Sequence, residues 1–354
     1  MQRCTRCIMP STVPGISFND DGVCCFCSDY HHEPCLKEKE LQEIIESAKN
    51  KDNKYDCIVP LSGGRDSTFI LYLAKAVYKL KVLAVSFDNE FRTDQALMNM
   101  KNACKALNVD FISVRSKRDF ARKIVLYGIR NVLPQGPYAI SHTMCHACAY
   151  GNKSVVYIAA EKYKVPLILW GESKNESTMD MQLKANPGQR MSKLRMLFDV
   201  NIFLRELYRL LLRYEFHVPG NPIISRSPPI LKNKNIKEVH LYDYIEWDRK
   251  KIKETIMKEL GWKKPSDTVS TWRIDCFLHH LVNHCFFNMY GCSKDSFGYC
   301  RMINSGQMNR EEALYQEEFA AKDILNKIQG ISEKSIGLSK KEAAIIESLK
   351  NKIL

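Results

Sequence analysis

A glycine-rich turn between an apolar run and a helical stripe constrains this chain most. The turn covers residues 62–68, with the sequence Ser-Gly-Gly-Arg-Asp-Ser-Thr, and it follows the apolar run 57–61. A helix that starts in such a turn leaves its first N–H groups unpaired, and glycine lets the backbone approach a ligand closely. Both features favour an anion such as phosphate. This glycine turn therefore predicts an α/β protein that binds a nucleotide, although it lacks the Lys-Ser or Lys-Thr pair of the common phosphate-binding loop.

Helical and apolar segments alternate after the glycine turn, at 67–80, 81–87, 97–107, 110–114 and 165–170. This alternation predicts a Rossmann-like parallel sheet with helices on both faces, in which a ligand lies beyond the carboxyl ends of the strands. Two further polar segments fall at those ends, one with Asp88 and Asn89 and one that begins with Gly171 and Glu172. We expect both to border the nucleotide site, although Asp88 or Asn89 can instead cap a helix. Glu172 and Glu176 are candidate ligands of Mg²⁺ or solvated loop acids.

Two close pairs of cysteines near the start of the chain indicate a metal site. Two residues separate Cys4 from Cys7 and Cys24 from Cys27, and turn-forming residues lie between the pairs. Two such pairs are typical of zinc, because four thiolates complete a tetrahedral structural site. Cys25 competes with Cys24 for the third position, but the spacing to Cys27 favours Cys24. The sequence therefore predicts a small knuckle held together by zinc.

A third close pair, Cys145 and Cys148, also has two residues between its members, but a lone pair is weak support for a metal. Three interpretations stay open: a redox or catalytic thiol pair, two small buried residues, or a metal or iron–sulfur site. The last interpretation needs another cysteine. The sequence offers Cys276, Cys285, Cys292 and Cys300.

The length of 354 residues fits a core with appendages, which we divide into three parts. They are the zinc knuckle at 1–35, a nucleotide-binding α/β core at 36–195, and a mostly helical substrate or partner region at 196–354. The 53 Lys and Arg against 40 Asp and Glu give a net charge of +13, which favours an anionic partner. The sequence shows neither a run long enough for a membrane span nor an apolar signal region. We therefore expect a cytoplasmic protein whose 14 cysteines do not form disulfides.

The glycine turn resembles the pyrophosphate loop of the PP-loop ATP pyrophosphatases, which has the form Ser-Gly-Gly-x-Asp-Ser. Four segments are similar to those of a narrower group, the bacterial N-acetyl sugar amidotransferases. They are Cys-x-x-Cys-Ile-Met-Pro, Gly-Val-Cys, Pro-Leu-Ser-Gly-Gly-x-Asp-Ser and a late stretch, at 4–10, 22–24, 60–67 and 303–314. Matches near both ends indicate that the resemblance covers most of the chain.

The resemblance implies an ATP-dependent carbon–nitrogen ligase. In that family, ATP activates the acetamido group of a nucleotide-linked sugar as an adenylate, with Mg²⁺ required and pyrophosphate released. Ammonia then displaces AMP and leaves an acetamidino group, which serves surface polysaccharides or flagellin glycans. The implied partners are a glutaminase subunit and an ammonia-channelling subunit, because this chain has no glutaminase nucleophile motif of its own.

Roles for the glycine turn follow from the same resemblance. Asp66 and Ser67 are the expected catalytic residues, and Asp66 can also act through the metal. With the strand-end segments added, the expected ATP-binding residues are Ser62, Gly63, Gly64, Arg65, Asp66, Ser67, Thr68, Asp88, Asn89, Gly171 and Glu172.

Two other functions stay open at this point. A tRNA-thiolating enzyme on the same core would use the second cysteine pair for an iron–sulfur cluster and would bind nucleic acid. A zinc-knuckle nucleic-acid-binding module with a degenerate loop is the third possibility. The opening segment favours the amidotransferase over the thiolase, and the intact glycine turn argues against the binding module. Nucleic acid is therefore not the partner that we expect.

Overall fold

The computed structural model describes residues 1–32, 34–115, 125–126, 128–129, 137–172, 216–218, 221–223 and 235–334. Its helices are α1 (Cys25–Ser28), α2 (Glu38–Ala48), α3 (Arg65–Tyr72), α4 (Asp94–Leu107), α5 (Pro137–Tyr163), α6 (Arg249–Leu260), α7 (Leu278–Tyr290), α8 (Asp295–Asn304) and α9 (Arg310–Lys334). Its strands are β1 (Cys57–Pro60), β2 (Val82–Asp88), β3 (Asp110–Arg115), β4 (Leu167–Trp170), β5 (Phe216–Val218), β6 (Asn221–Ile223) and β7 (Lys237–His240). Within these ranges, we find no helix whose length and apolar content would let it traverse a bilayer.

The strands form one sheet in the order β6-β5-β3-β2-β1-β4-β7. Five neighbouring strands are parallel, namely β3, β2, β1, β4 and β7. β5 runs antiparallel to both β3 and β6. The register places Cys57 beside Val82 on one side and beside Leu167 on the other. β1, β2 and β4 are mostly buried, because helices cover both faces of a parallel sheet. The predicted Rossmann-like sheet is confirmed.

The order of the strands reverses at β1. β2 and β3 lie on one side of it, and β4 and β7 lie on the other. Connections that leave β1 and β4 therefore diverge and open a crevice at the carboxyl ends of these two strands. The glycine turn, which joins β1 to α3, lies at this crevice.

Each face of the sheet has its own buried cluster. On one face, α3, α4 and α6 contribute apolar residues such as Ile70, Met100 and Ile256. On the other face, α5 contributes Val156 and Ala160, which pack against residues of β1, β2 and β4. Because helices cover both faces of the sheet, polar side chains that can meet a ligand lie at the strand ends and in the loops.

Two boundaries differ from those that the sequence predicts. The helix after the glycine turn begins at Arg65 rather than at residue 67, and from Leu73 to Val77 it has π-helical hydrogen bonding. The predicted division at 195/196 does not separate the sheet from the rest of the chain. β7 follows this division in the sequence, yet it pairs with β4 in the sheet. β7 has only four residues, and they include Lys237 and Glu238, so its sequence lacks an apolar run. The predicted C-terminal helices are confirmed by α6 to α9.

The cysteine knuckle, residues 4–27, packs mainly against the C-terminal helices. Phe26 of the knuckle contacts Phe297 of α8 with ring centroids 6.2 Å apart, inside a buried cluster that also contains Phe286 of α7. The Nε of Arg310, at the start of α9, donates hydrogen bonds to the carbonyl oxygens of Cys4 and Cys7 at 3.3 and 2.9 Å. These hydrogen bonds hold the cysteine knuckle against the start of α9.

Candidate functional site

A cavity of about 270 Å³ lies between the carboxyl ends of β1 and β4, and we call it the switch-point pocket. The glycine turn borders it, as do Asn89, Gly171 and Glu172. A second cavity of about 380 Å³ shares part of its wall, including Trp272, but does not reach the glycine turn. We therefore take the switch-point pocket as the candidate active site. The three polar segments that the sequence grouped together do converge there.

Gly63 holds the glycine turn against α4. Its φ is +80°, and a Cβ at this position would lie 2.2 Å from the carbonyl oxygen of Ala96. The Gly63 carbonyl oxygen accepts hydrogen bonds from Nε1 of Trp262 at 3.0 Å and from Nδ2 of Asn99 at 3.3 Å. A positive φ and this contact both require glycine. Gly63 therefore shapes the turn, whereas its neighbour Gly64 borders the pocket.

Hydroxyl groups hold the glycine turn in an open loop. The N–H of Ser62 donates to Oγ of Ser67 at 3.2 Å, and the N–H of Gly64 donates to Oγ of Ser62 at 3.2 Å. The two serine hydroxyls lie 3.1 Å apart, and Oγ1 of Thr68 donates to the Gly64 carbonyl oxygen at 2.7 Å. These groups surround the start of α3, where the helix dipole favours an anion. A phosphate group can replace the serine oxygens as the acceptor for the N–H groups.

Arg65 and Asp66 are buried, and they form an ion pair with each other. The guanidinium of Arg65 donates from Nη2 to Oδ2 of Asp66 at 2.8 Å and from Nη1 to Oγ1 of Thr271 at 3.2 Å. It also lies 5.0 Å from the ring centroid of Trp247, whose Nε1 donates to Oδ1 of Asp66 at 2.7 Å. Both residues border the pocket, and these contacts hold their charged groups in place. Their expected roles in ATP binding and catalysis stay predictions.

Arg92 is a pocket residue that the sequence analysis did not single out. Its guanidinium donates from Nη1 to the carbonyl oxygen of Ser62 and from Nη2 to that of Phe87, both at 2.8 Å. Its Nε is buried and has no hydrogen-bond partner among the described residues. A cation that spans the ends of β1 and β2 beside a phosphate cradle suits an anionic ligand. The one sequence signal was an arginine shortly after a strand end.

The remaining strand-end residues divide into two groups. Asp88 does not border the pocket; its carboxylate accepts from the N–H of Glu90 at 2.9 Å and from Nε of Arg115 at 2.7 Å. Asp88 thus closes a local turn and pairs with Arg115, whereas the residue that caps α4 is Thr93. Gly171 borders the pocket, and a Cβ there would lie 3.2 Å from Cα of Ser67, so β4 and α3 approach closely.

Among the described residues, the acids that border the pocket are Asp66, Glu172 and Asp275. Glu172 borders the pocket with its carboxylate 4.0 Å from Nδ1 of His240, and Glu176 lies outside the described residues. Asp275 borders the pocket from another loop, and its Cγ lies 4.0 Å from the place that a Cβ on Gly64 would take. A carboxylate that faces a phosphate cradle repels phosphate unless a cation such as Mg²⁺ lies between them.

The cysteine knuckle brings together four buried thiols. The sulfur atoms of Cys4, Cys7, Cys24 and Cys27 all lie within 4.8 Å of one another. Two of the separations are 3.9 Å, for Cys4 and Cys27, and 3.7 Å, for Cys7 and Cys24. A tetrahedral ion with metal–sulfur bonds of about 2.3 Å would place its sulfurs about 3.8 Å apart. The four thiols therefore fit a single metal ion.

Backbone N–H groups point at these sulfur atoms, as is expected around thiolate ligands. Cys7 and Cys24 donate from their N–H groups to Sγ of Cys4 at 3.4 and 3.2 Å. A hydrogen bond with the Cys24 thiol is the main cause that lowers the pKa of the Cys4 thiol to about 6. A fifth thiol, that of Cys300 in α8, lies 3.7 Å from Sγ of Cys27. The sequence could not find Cys300, because helix packing alone brings it to the knuckle.

Comparisons with known proteins found similarities both to part of this core and to longer stretches of the chain. The family model of "Queuosine biosynthesis protein QueC" matches residues 56–132, which include the glycine turn. A 7-cyano-7-deazaguanine synthase of Clostridium botulinum is 45% identical over 58 residues, which are 16% of this chain and 26% of that protein. The chain thus spans about a quarter of that synthase. Among solved structures, the tRNA thiolase NcsA from Methanococcus maripaludis, with its [4Fe-4S] cluster, is 12% identical with a TM-score of 0.35, covering 99% of this chain and 87% of its own.

One similarity extends over nearly the whole chain. The uncharacterized protein MJ1599 of Methanocaldococcus jannaschii is 33% identical over 321 residues, which are 88% of this chain and 91% of MJ1599. A similarity of this extent includes the cysteine knuckle or the C-terminal helices as well as the core. The core itself, with its parallel sheet and its glycine turn, is of the PP-loop ATP pyrophosphatase type. The chain belongs to the same family as MJ1599.

Proposed function

We propose that this protein is an ATP-dependent amidotransferase, which converts the acetamido group of a nucleotide-linked sugar to an acetamidino group. The observation that carries the proposal is the convergence of the glycine turn, Arg92 and the end of β4 on one pocket. The four segments that resemble the N-acetyl sugar amidotransferases supply the substrate class. We place the reaction in the cytoplasm, where ATP and nucleotide sugars are available.

The chemistry needs an activated amide, because the oxygen of an amide is a poor leaving group. The acetamido oxygen attacks the α-phosphorus of ATP, a new O–P bond forms, and pyrophosphate leaves. Ammonia then adds to the carbon, the C–O bond breaks, and AMP departs with the former carbonyl oxygen. The N–H groups of the glycine turn and the start of α3 stabilise the negative charge on the leaving pyrophosphate.

The side chains at the pocket have separate roles in this reaction. Ser67 and Ser62 hold the open shape of the glycine turn before ATP arrives, so little reorganisation is needed. Arg92 places its positive charge beside the pocket at the ends of β1 and β2, where it favours an anion. Asp275 and Glu172 are the carboxylates that would hold Mg²⁺, which neutralises charge on the phosphates. Binding both substrates in one pocket lowers the entropic part of the barrier.

Ammonia is expected to come from outside this chain. The proposed partners are a glutaminase subunit and a subunit that channels ammonia to the switch-point pocket. Free ammonium at high concentration should replace both subunits in vitro, because the carbon–nitrogen bond of the sugar product forms at the switch-point pocket of this protein.

A panel of nucleotide-linked N-acetyl sugars, incubated with ATP, Mg²⁺ and ammonium, tests the proposal. We expect mass spectrometry to show one sugar in which NH has replaced oxygen, with AMP formed in equal amount. Ser67→Ala should slow this reaction about 10-fold or more, because it removes a hydroxyl that shapes the phosphate cradle. Ser47→Ala, on the surface helix α2, is the matched control and should leave the rate unchanged. Formation of ADP instead of AMP would reject the proposal.

ATP-dependent tRNA thiolation is the second candidate function. The observation that favours it is a set of three cysteines at the same pocket, since a sulfur-transferring enzyme needs sulfur ligands close to the activated nucleotide. Saturable tRNA binding together with sulfur incorporation into the tRNA would support this candidate over the first. Amidine formation without tRNA binding would exclude it.

A further inference from the structure

Three free cysteines, two from α5 and one from the loop before α7, meet at the switch-point pocket. Cys145 and Cys148 lie one helical turn apart on α5, and Cys276 lies in the loop before α7. An isolated β-bridge pairs Cys276 with Arg92, which fixes its backbone beside the end of β2. We call these three residues the cysteine trio. Of the four partners that the sequence offered for Cys145 and Cys148, the structure thus selects Cys276.

The other three cysteines lie elsewhere. Cys292 and Cys300 belong to the buried cluster around the cysteine knuckle, and Cys285 lies buried within α7 without bordering the pocket. None of them can approach Cys145 or Cys148 without moving a packed helix. Cys145 is exposed, and Cys148 and Cys276 are partly buried, so ligands can reach the trio from the pocket.

Polar donors point at the sulfur atoms of the trio. One amide nitrogen, Nδ2 of Asn89, donates to Sγ of Cys148 at 3.4 Å and to Sγ of Cys276 at 3.7 Å. Nζ of Lys294 donates to Sγ of Cys145 at 3.8 Å. Asn89 is held in place because its Oδ1 accepts from the N–H of Phe91 at 3.0 Å. Donors of this kind stabilise thiolates and adjust the properties of a bound metal group.

The spacing of the trio differs from that of the knuckle. Among the residues that the structure describes, the knuckle is the one group of thiols, imidazoles and carboxylates whose donor atoms all lie within 4.8 Å of one another. The trio is more open than this, with the Asn89 amide between two of its sulfur atoms. A single ion would draw its thiolates to about 3.8 Å, whereas a cluster of several irons is larger and holds its thiolates further apart.

We propose that Cys145, Cys148 and Cys276 bind a [4Fe-4S] cluster through three thiolates. Such a cluster has four irons, so three cysteines leave one iron without a protein thiolate. Because all three cysteines border the switch-point pocket, that iron faces the space where the substrates bind. It is therefore open to a small donor ligand with a lone pair. The proposal does not depend on whether nitrogen or sulfur is the atom transferred.

Anaerobic reconstitution of the full chain with ferrous iron and sulfide tests the cluster. We expect about four iron and four sulfide per chain, with visible absorbance that dithionite bleaches and a paramagnetic signal from the reduced cluster. Cys145→Ser, Cys148→Ser and Cys276→Ser should each lower bound iron several-fold while the zinc of the knuckle stays at about one per chain. Cys35→Ser replaces another exposed cysteine and should retain full iron.

Three results would overturn the proposal. Wild-type protein that takes up zinc but no iron at the trio would show a mononuclear site. Iron that is lost in Cys4→Ser but kept in the three trio variants would place the cluster in the knuckle. A disulfide between two trio cysteines in protein isolated without oxygen would show a redox pair. Cys145 is exposed, so its variant should fold normally, and circular dichroism checks this. These readouts do not require activity, so the cluster and the proposed reaction can fail separately.

Discussion

Gly63 and Gly64 are adjacent, but different physical constraints select them. Gly63 has a positive φ, and its Cβ would collide with a carbonyl oxygen of α4. Gly64 has a φ of −70°, and its nearest obstacle is Oγ of Ser62 at 3.1 Å, on the pocket side. Gly63 is thus a folding residue, and Gly64 is a ligand-approach residue.

This difference predicts separate effects for two alanine variants. Gly63→Ala should lower the free energy of unfolding by about 2 kcal/mol or more, because the residue is strained and has no space. Gly64→Ala should change it by less than about 1 kcal/mol, since its φ suits alanine, but should weaken ATP binding. Chemical denaturation and calorimetric titration with ATP measure the two effects. Equal destabilisation by both variants would contradict the assignment.

Arg92 is the side chain whose role at the pocket depends most on charge. Arg92→Met should raise the Kd for ATP about 10-fold or more, because a hydrogen bond to a charged group contributes about 1.5–3 kcal/mol. Arg115→Met is the matched control, since Arg115 is an exposed arginine at the end of the next strand. It should leave the Kd unchanged. Equal Kd values for the Arg92 variant and the wild type would remove Arg92 from the site.

At the scale of elements, the cysteine knuckle joins the start of the chain to α7, α8 and α9. Cys4→Ser should lose the metal and expose residues 4–27, α7 and α8 to faster hydrogen exchange, because their shared buried cluster opens. Cys25→Ser tests specificity, since Cys25 is adjacent to a ligand but lies outside the group of four thiols. It should retain about one zinc per chain. Loss of zinc in both variants would show that Cys25 also takes part.

Glu317 fastens α9 to the start of α8. Its buried carboxylate accepts from the N–H and hydroxyl of Ser293 at 3.0 and 2.6 Å and from the hydroxyl of Ser296 at 2.6 Å. Burial nevertheless raises the pKa of Glu317 above its ordinary value of 4.5. The folded state then holds this proton more tightly than the unfolded state, and the stability contributed by Glu317 is lost as pH rises from 4.5 through the raised pKa.

The free energy of unfolding of the Glu317→Gln variant should therefore fall less steeply than that of the wild type as pH rises through this range. Urea unfolding at a series of pH values, from about 4 to 7, measures it. Glu311→Gln, on the exposed side of the same helix, is the control and should keep the wild-type slope. If the Glu317 variant also keeps that slope, the carboxyl has no raised pKa.

The sequence predicted those helices and strands that a local pattern of residues specifies. The buried strands β1, β2 and β4 are continuous apolar runs, and the glycine turn marks the start of α3. β7 was missed, because a four-residue strand with charged residues gains its stability from pairing with β4 rather than from its own pattern. The first part of the predicted helical region, residues 196–215, lies outside the described residues.

At the scale of the whole molecule, the two cysteine sites show what sequence spacing can and cannot predict. The ligands of the knuckle come in two local pairs, so their spacing identified all four. The cysteine trio joins a local pair to Cys276, more than a hundred positions away, and only the packing of α5 against the loop before α7 brings Cys276 to the pair. Arg92 was missed for a similar reason, because its contacts with Ser62 and Phe87 depend on the order of the strands.

The fate of the acetamido oxygen tests the central claim most directly. The protein should be incubated with ATP, Mg²⁺, ammonium and a nucleotide-linked N-acetyl sugar that carries heavy oxygen in its acetamido group. If an amide oxygen is activated at the switch-point pocket, the label will appear in the phosphate of AMP, and the pyrophosphate will carry none. Label found in released water or in inorganic phosphate, or AMP formed without label, would contradict the account.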